Sequence, residues 1–261
     1  EDRHARWINA HTGTSADGSD DYRNEMNGMG YVVELDPYDG ASRAKKRSAL
    51  GRFAHESAAF SLPVAGQKLA VYMGDDSRNE YIYKFVSRDK VAPGGAKANA
   101  TLLDHGTLHV ARFNADGSGQ WIPLVAGQGP LTAANGFADQ GEVLIKTRQA
   151  SDLLGATKMD RPEWLTIDPL SGWVYCTLTN NSSRGQPNFP GVDAANPRAN
   201  NAFGSIIRWQ EDRDFDATQF KWNHLVLAGD PANERAEAKG NTKGDLYACP
   251  DGIAFDARGV L

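Results

Sequence analysis

The chain has 261 residues, of which 40% are hydrophobic and 23% charged, a balance typical of folded globular proteins and unlike disordered or collagen-like chains. Its 28 Lys and Arg against 33 Asp and Glu give a net charge of −5, and no basic run exceeds Lys45–Arg47, so nucleic acid is not an expected partner. No apolar stretch approaches the roughly 20 residues that a membrane-spanning helix needs.

Short runs rich in β-branched and aromatic residues predict strands throughout the chain, and the 27 glycines and 12 prolines fit frequent turns between them. The turn sequence at 114–119 predicts a hairpin between two of these strands. The predicted strands are, in chain order, 31–35, 69–73, 81–86, 108–113, 120–124, 164–167, 173–179, 205–209 and 224–227.

One segment departs from the strand pattern. Between Asp139 and Gly155, apolar residues recur at helical spacing, and Gly155 is a typical C-terminal stop, so the segment predicts one inserted α-helix. The polar stretches 10–21 and 180–201 are rich in Gly, Asn, Pro and Ser and are expected to be long loops.

A repeat lies beneath the strand pattern. Pro162–Pro169 and Pro250–Ala257 share a frame of Pro, an acid, an aliphatic residue two positions later and an Asp, and a looser copy begins at Glu56 with 60–63 as its strand. Between Glu163 and Asp251 the order of strands, turns and one long loop matches a four-stranded up-and-down blade. The fold class predicted is therefore all-β, a β-propeller.

Three carboxylates stand at equivalent places in the repeat. Glu56, Glu163 and Asp251 each lie where the innermost strand of a blade begins, beside the central channel. Carboxylates that converge there would repel one another unless cations neutralise them. A site for a hard divalent or trivalent metal ion is the expected result.

Arg161 lies two residues before Glu163, so a planar donor for an oxyanion is next to a carboxylate for a cation. This pairing suggests a phosphate ester, although a loop salt bridge explains it equally well. Asp76, in the acidic segment after the strand at 69–73, is a further candidate metal ligand, with a solvated turn as the alternative. Asn180 is a candidate substrate contact in a segment that turn chemistry also explains.

Other hydrolytic motifs are missing from the sequence. His55-Glu56 resembles the start of a zinc-protease HExxH motif, but Ala59 takes the place of the second His. There is no Gly-rich phosphate loop and no GxSxG elbow, so neither a P-loop hydrolase nor an α/β-hydrolase is supported.

Several long ordered strings resemble the PhoX-type bacterial alkaline phosphatases, and the resemblance extends from about Asn24 onward. These strings are Gly30–Pro37, Ala49–Glu56, Val71–Asp76, Tyr81–Phe85, Asp152–Trp164 and Thr177–Ser182.

The resemblance implies a six-bladed propeller that hydrolyses phosphate monoesters with iron and calcium ions at the channel mouth. By position in the motifs, Glu56, Glu163 and Asp251 correspond to metal ligands and Arg161 to the residue that binds the substrate phosphate. It also implies export by the twin-arginine route to the periplasm or the cell exterior. A monomer is expected.

The sequence departs from the family in two ways. The family has an iron-ligating Cys upstream of the Gly30–Pro37 string, whereas Glu1–Asn27 contains none, and Cys176 and Cys249 lie in other motifs. The family also continues well beyond the motif at Asp251. We therefore expect residues 1–261 to form a single partial propeller domain, truncated at both ends.

Two alternatives stay open at this point. A different calcium-dependent propeller hydrolase, such as a lactonase, would share the carboxylates but has no need of Arg161. An inactive truncated propeller fragment would bind no stoichiometric iron.

Overall fold

The computed structural model describes residues 13–17, 19–211 and 214–261 of the chain. Strands dominate this part. They are β1 Val33–Glu34, β2 Lys45–Lys46, β3 Ala59–Phe60, β4 Lys68–Gly74, β5 Ile82–Lys90, β6 Gly106–Phe113, β7 Ser118–Pro123, β8 Pro162–Ile167, β9 Val174–Leu178, β10 Ser205–Glu211 and β11 Gln219–Leu227. The α-helices are α1 Gly95–Ala98, α2 Gln140–Ile145 and α3 Thr147–Leu153, and short 3-10 turns lie at Glu25–Gly28, Ser48–Leu50 and Ala133–Asn135.

Strands β3 to β11 form one antiparallel sheet, in the order β3-β4-β5-β6-β7-β11-β10-β9-β8 within the described residues. The order corresponds to two meanders, β3–β7 and β8–β11, which join where β7 pairs with β11 through Gln120 and Gln219. The edge strand β8 in turn packs on β3 and β4, so the first strands of the two meanders lie side by side. The predicted all-β class and the four-stranded meander after Glu163 are confirmed.

Two hydrophobic cores explain why the central strands are buried on both faces. Along β4, Val71 and Met73 point into a core shared with the helical insert, while Ala70 and Tyr72 point into a core between the two meanders. Strand β4 therefore reads as an almost continuous apolar run instead of alternating with polar residues. The second core is rich in aromatic side chains, which include Trp121, Trp209, Phe220 and Trp222.

A buried ion pair crosses the core between the meanders. Lys84 Nζ on β5 lies 2.7 Å from both carboxylate oxygens of Glu211 at the end of β10. The hydroxyl of Tyr72 and the indole N–H of Trp121 also donate to Glu211, at 2.7 and 2.9 Å. The buried carboxylate of Glu211 is therefore fully satisfied within the core between the two meanders.

The predicted single helix over 139–155 is wrong in one respect, because the structure has two consecutive helices, α2 and α3. Asp139 caps α2 by accepting from the backbone N–H of Glu142 at 2.9 Å, and Gly155 at φ +63° follows α3, as the sequence predicts. The break falls at Lys146, with φ −100° and ψ 39°. There the carbonyl of Leu144 accepts instead from the N–H of Arg52 and from the hydroxyl of Thr147, which removes it from the helical ladder.

The ends of the predicted strands differ more than their centres. The strand predicted at 31–35 is only β1, the one at 60–63 is only β3, and 250–257 forms no strand among the described residues. The loop at 180–201 is irregular, as predicted, whereas much of the loop predicted at 10–21 lies outside the described residues. Within the described part of the chain, no helix is long and apolar enough to span a membrane.

Candidate metal and phosphate site

The three carboxylates that the repeat places at equivalent positions lie together in the structure. One oxygen atom from each of Glu56, Glu163 and Asp251 falls within 4.8 Å of the others. Glu163 is buried, Glu56 is half-buried and Asp251 is exposed, so the cluster opens to solvent on one side. Their burial and spacing leave room for a cation that all three could contact.

Backbone contacts hold these segments in place. The N–H of Glu56 donates to the carbonyl of Gly74 at the end of β4, at 3.2 Å. Gly74 itself lies against the start of β8, where an added Cβ would come within 2.5 Å of the carbonyl oxygens of Pro162 and Glu163. Only glycine allows this approach, which brings the Glu56 segment beside Glu163.

Two threonines, one in β9 and one directly after it, hold the segment that carries Asp251. The hydroxyl of Thr177 donates to the carbonyl of Asp251 at 2.7 Å, and that of Thr179 donates to the carbonyl of Pro250 at 2.9 Å. The copy of the repeat at 250–257 thus reaches the site through contacts with these threonine side chains. It does not pair as a strand within the described residues.

Glu163 has the most perturbed environment of the three. Burial raises the pKa of its carboxyl to about 7, and the negative charges of Asp76 and Asp251 act in the same direction, against the opposing effects of Thr179 and Arg161. Its buried Oε1 lies 2.8 Å from Arg161 Nη2, at an angle that does not make a hydrogen bond. Among the described residues this oxygen has the ion pair with Arg161 and no hydrogen bond, so it can still serve as a ligand for a cation.

Arg161 spans the gap between two carboxylates. Its Nε lies 2.9 Å from Asp76 Oδ1, its Nη2 donates to Asp76 Oδ2 at 3.1 Å, and the same nitrogen faces Glu163. The side chain is 28% exposed, so a ligand in solvent can reach its remaining donors. Its backbone has φ +57°, in the left-handed region that non-glycine residues seldom adopt.

Asp76 occupies a different place from the three clustered carboxylates. Both of its oxygens face the Arg161 guanidinium, and the group with converging ligand atoms among the described residues does not include it. The predicted role of Asp76 as a metal ligand stays a prediction. The alternative of a solvated turn did not include the ion pair with Arg161 that the structure shows.

Asp75, next to Asp76, is fully buried and is a contact that sequence reasoning missed. It accepts from Arg148 on α3, with Nε at 2.8 Å and Nη2 at 2.5 Å, and from the N–H of Ala54 at 3.2 Å. Through this pair the helical insert supports the loop that carries Asp76. Nothing local in the sequence links Asp75 to a residue 73 positions away.

Asn180 and Cys249 lie next to each other close to Asp251, whereas Cys176 is a core residue. The amide of Asn180 is 3.6 Å from Cys249 Sγ, two residues before Asp251. Cys176 is fully buried in β9, and burial raises the pKa of its thiol, so it is a core residue as the strand pattern suggests. His55 is stacked on Phe53 with ring centroids 3.6 Å apart, and burial lowers its pKa to about 4, which suits packing.

A second polar cluster, also missed from the sequence, lies beneath Arg161. Its members are the buried side chains Asn79, Asp160, Asn181, Arg184 and Asn201. They join the loop after β4, the segment before β8 and the long loop 180–201. In the sequence these asparagines read as ordinary turn residues.

The residues present fit a cation site. Three carboxylates with converging oxygens are the donors that calcium prefers, and carboxylates also bind iron. The buried Oε1 of Glu163, which makes no hydrogen bond within the described residues, supports the same reading.

Comparisons with known proteins agree with this geometry. The family model described as alkaline phosphatase PhoX matches residues 5–261. No curated protein matches the chain. Among solved structures, the chain is similar to Pseudomonas fluorescens PhoX in complex with vanadate, a transition state analogue, with 48% identity and a TM-score of 0.86.

That alignment covers 92% of this chain and 44% of the other, so the chain spans less than half the length of the Pseudomonas fluorescens protein. The likeness confirms the predicted propeller-like fold. The chain belongs to the PhoX alkaline phosphatase family.

Proposed function

We propose that this chain forms part of an enzyme that hydrolyses small-molecule phosphate monoesters at the site of Arg161 and the clustered carboxylates. The observation that carries the proposal is the position of one partly exposed guanidinium directly beside Glu163, whose oxygen lies within 4.8 Å of those of Glu56 and Asp251. A cation site next to an anion-binding guanidinium suits a phosphate ester, because the oxygens of the ester need positive charge on more than one side.

Glu56, Glu163 and Asp251 would hold the metal ions, with Asp76 as a further ligand, and the family resemblance favours calcium and iron. When bound, such ions supply Lewis-acid neutralisation of phosphate oxygens. An iron-ligating Cys would come from outside the strings matched here, because Cys176 is buried in β9 and Cys249 belongs to the Asp251 segment.

Arg161 would bind the phosphoryl oxygens and stabilise the charge that builds on them in the transition state. Asp76 and Glu163 hold its guanidinium in place through Nε and Nη2, and among the described residues no contact is seen at Nη1, which would face the ligand. Asn180 would donate its amide to the substrate from the opposite loop. A lactonase needs no such arginine, so Arg161 favours the phosphatase over that alternative.

The test is a comparison of Arg161→Ala with wild type in the full-length, metal-loaded protein, using p-nitrophenyl phosphate and a lactone side by side. We expect phosphate hydrolysis in wild type, and a loss of about 100-fold or more in kcat/KM for the variant with metal content retained. Arg88→Ala is the matched control, since Arg88 is exposed and forms an ion pair with its neighbour Asp89.

Wild-type kinetics in Arg161→Ala would remove the assignment of this residue. Lactone turnover without phosphate turnover would favour the other hydrolase, and turnover of neither substrate by the metal-loaded wild type would contradict the proposed function. We further propose a monomer that reaches the periplasm or the cell exterior by the twin-arginine route, as the family resemblance implies.

A further inference from the structure

We propose that Asp160 is a positioning residue for Arg161, acting through a buried polar cluster that ties together the three loops of the site; this rests on the function proposed above. Asp160 immediately precedes Arg161 and is fully buried. The cluster consists of Asn79, Asp160, Asn181, Arg184 and Asn201, as described above.

Asp160 is the centre of the cluster because its carboxylate accepts from three different side chains. Oδ1 accepts from Asn181 Nδ2 and from Arg184 Nε, both at 2.8 Å, and Oδ2 accepts from Asn201 Nδ2 at 2.9 Å. All three donors belong to the loop 180–201, so the carboxylate ties the two ends of that loop together. The middle of the loop is held separately, where His224 on β11 contacts the carbonyl of Ala195 and Arg198 donates to the carbonyl of Ala228.

The same cluster reaches the loop that carries Asp76. Asn181 Nδ2 also donates to Asn79 Oδ1 at 2.8 Å, and the N–H of Asn79 donates to the carbonyl of Met159 at 2.9 Å. Arg78 and Asp160 form an isolated antiparallel bridge between the two segments. Asp76, Arg161 and Asn180 thus stand on three loops that share one buried anchor.

Arg161 needs such an anchor because its backbone conformation is unfavourable by itself. A φ of +57° is strained for a residue with a β-carbon, and it persists only where neighbouring contacts fix it on both sides. On the N-terminal side of Arg161, the neighbouring residue Asp160 is held by the cluster. On the C-terminal side, the carbonyl of Arg161 accepts from the N–H of Thr179 at 3.2 Å. This backbone turn points the guanidinium at Asp76 and Glu163.

The cluster has the contacts of a rigid support and already contains its own cation. The guanidinium of Arg184 is fully buried and also donates to the carbonyls of Lys158 and Gly191, at 2.7 and 3.1 Å. Its charge neutralises that of Asp160 directly, so Asp160 needs no metal ion to balance its charge. In this respect the cluster differs from the carboxylates that would hold metal ions.

The test uses the full-length, metal-loaded protein and two variants. Asp160→Asn keeps the shape but leaves Arg184 buried without its counter-charge, so it is expected to lower both stability and activity. The double variant Asp160→Asn with Arg184→Met removes that stranded charge and should regain thermal stability. If Asp160 positions Arg161, kcat/KM for p-nitrophenyl phosphate should stay about 10- to 100-fold below wild type in both variants, with inhibition by inorganic phosphate weakened.

Glu211→Gln is the matched control for general destabilisation. It breaks a buried ion pair of the same kind, between Lys84 and Glu211, at the opposite end of β10 from Ser205. Six residues of strand separate the two ends, about 20 Å. At temperatures where it is folded, this variant should keep wild-type kcat and wild-type phosphate inhibition.

Recovery of kcat together with stability in the double variant would overturn the proposal, as would equal losses of kcat in Glu211→Gln. If neither Asp160 variant folds, Asn181→Ser carries the same test, because it removes hydrogen bonds to Asp160, Asn79 and Ser183 but leaves the Asp160–Arg184 ion pair intact. Failure of the proposed function would appear separately, as wild-type protein without phosphatase activity.

Discussion

Glu163 lies next to both a positive and a negative group at the site. It lies beside Arg161 and also in the carboxylate cluster with Glu56 and Asp251, and burial raises the pKa of its carboxyl to about 7. A bound cation would offset that burial by supplying the positive charge that Arg161 only partly provides.

Glu163→Gln keeps the size of this side chain and removes its charge. We expect the number of tightly bound metal ions per chain to fall, because the amide is a weaker ligand and the cluster loses its buried charge. Elemental analysis of full-length protein after extensive dialysis measures this. Glu142→Gln, in a surface pair with Lys146, is the control, and unchanged metal content in Glu163→Gln would contradict the expectation.

At the scale of single residues, the sequence predicted which side chains approach one another better than how they are held. Glu56, Glu163 and Asp251 could be found because each occupies the same place in a repeat. The Asp76–Arg161 contact and the cluster around Asp160 could not, because Asn and Asp near turns read as turn chemistry whether or not they are buried.

At the scale of elements, the site depends on how closely the end of β4 approaches the start of β8. Gly74→Ala would place a Cβ within 2.5 Å of two backbone carbonyl oxygens, which a flexible side chain cannot relieve. We expect a loss of stability of about 2 kcal/mol, together with lower phosphatase activity as Glu56 and Glu163 separate.

Chemical denaturation and steady-state kinetics on the same preparation measure both effects. Gly40→Ala is the control, because nothing lies within 4 Å of the Cβ that it would add. Full activity in Gly74→Ala would mean that this close approach does not determine the geometry of the site.

The strands were predictable where burial is continuous, as along β4, β6 and β9, because long apolar runs leave few alternatives. The break between α2 and α3 was not, since it depends on the N–H of Arg52, which competes for the Leu144 carbonyl from nearly a hundred residues away along the chain. Copies of the repeat that look alike also differ in pairing: 162–169 forms β8, whereas 250–257 forms no strand among the described residues.

For the molecule as a whole, the buried His109 and the half-buried His55 link stability to pH. Burial lowers the pKa of His109 to about 4, with a further effect from Lys84, and burial likewise lowers that of His55 to about 4. The ordinary value is 6.5, so between pH 6.5 and pH 4 the unfolded chain binds more protons than the folded one. Stability is full above pH 6.5 and falls as the pH drops toward 4.

His109→Gln tests this dependence, because glutamine fills much of the same space and does not titrate. We expect a shallower loss of stability between pH 6.5 and 4, smaller by up to about 3 kcal/mol at pH 4. Thermal unfolding followed across this range measures the change, with His105→Gln, on the surface loop before β6, as the control. An unchanged slope would show that His109 does not remain neutral in the folded protein.

In the proposed site, carboxylates from three separate segments of the propeller-like fold gather around shared cations beside Arg161. Anomalous X-ray diffraction from crystals of the full-length, metal-loaded protein, recorded on both sides of the iron edge, locates those cations. We expect peaks between Glu56, Glu163 and Asp251, with iron and calcium distinguished by their wavelength dependence. Metal peaks elsewhere, with these three carboxylates facing only water, would contradict the proposed site.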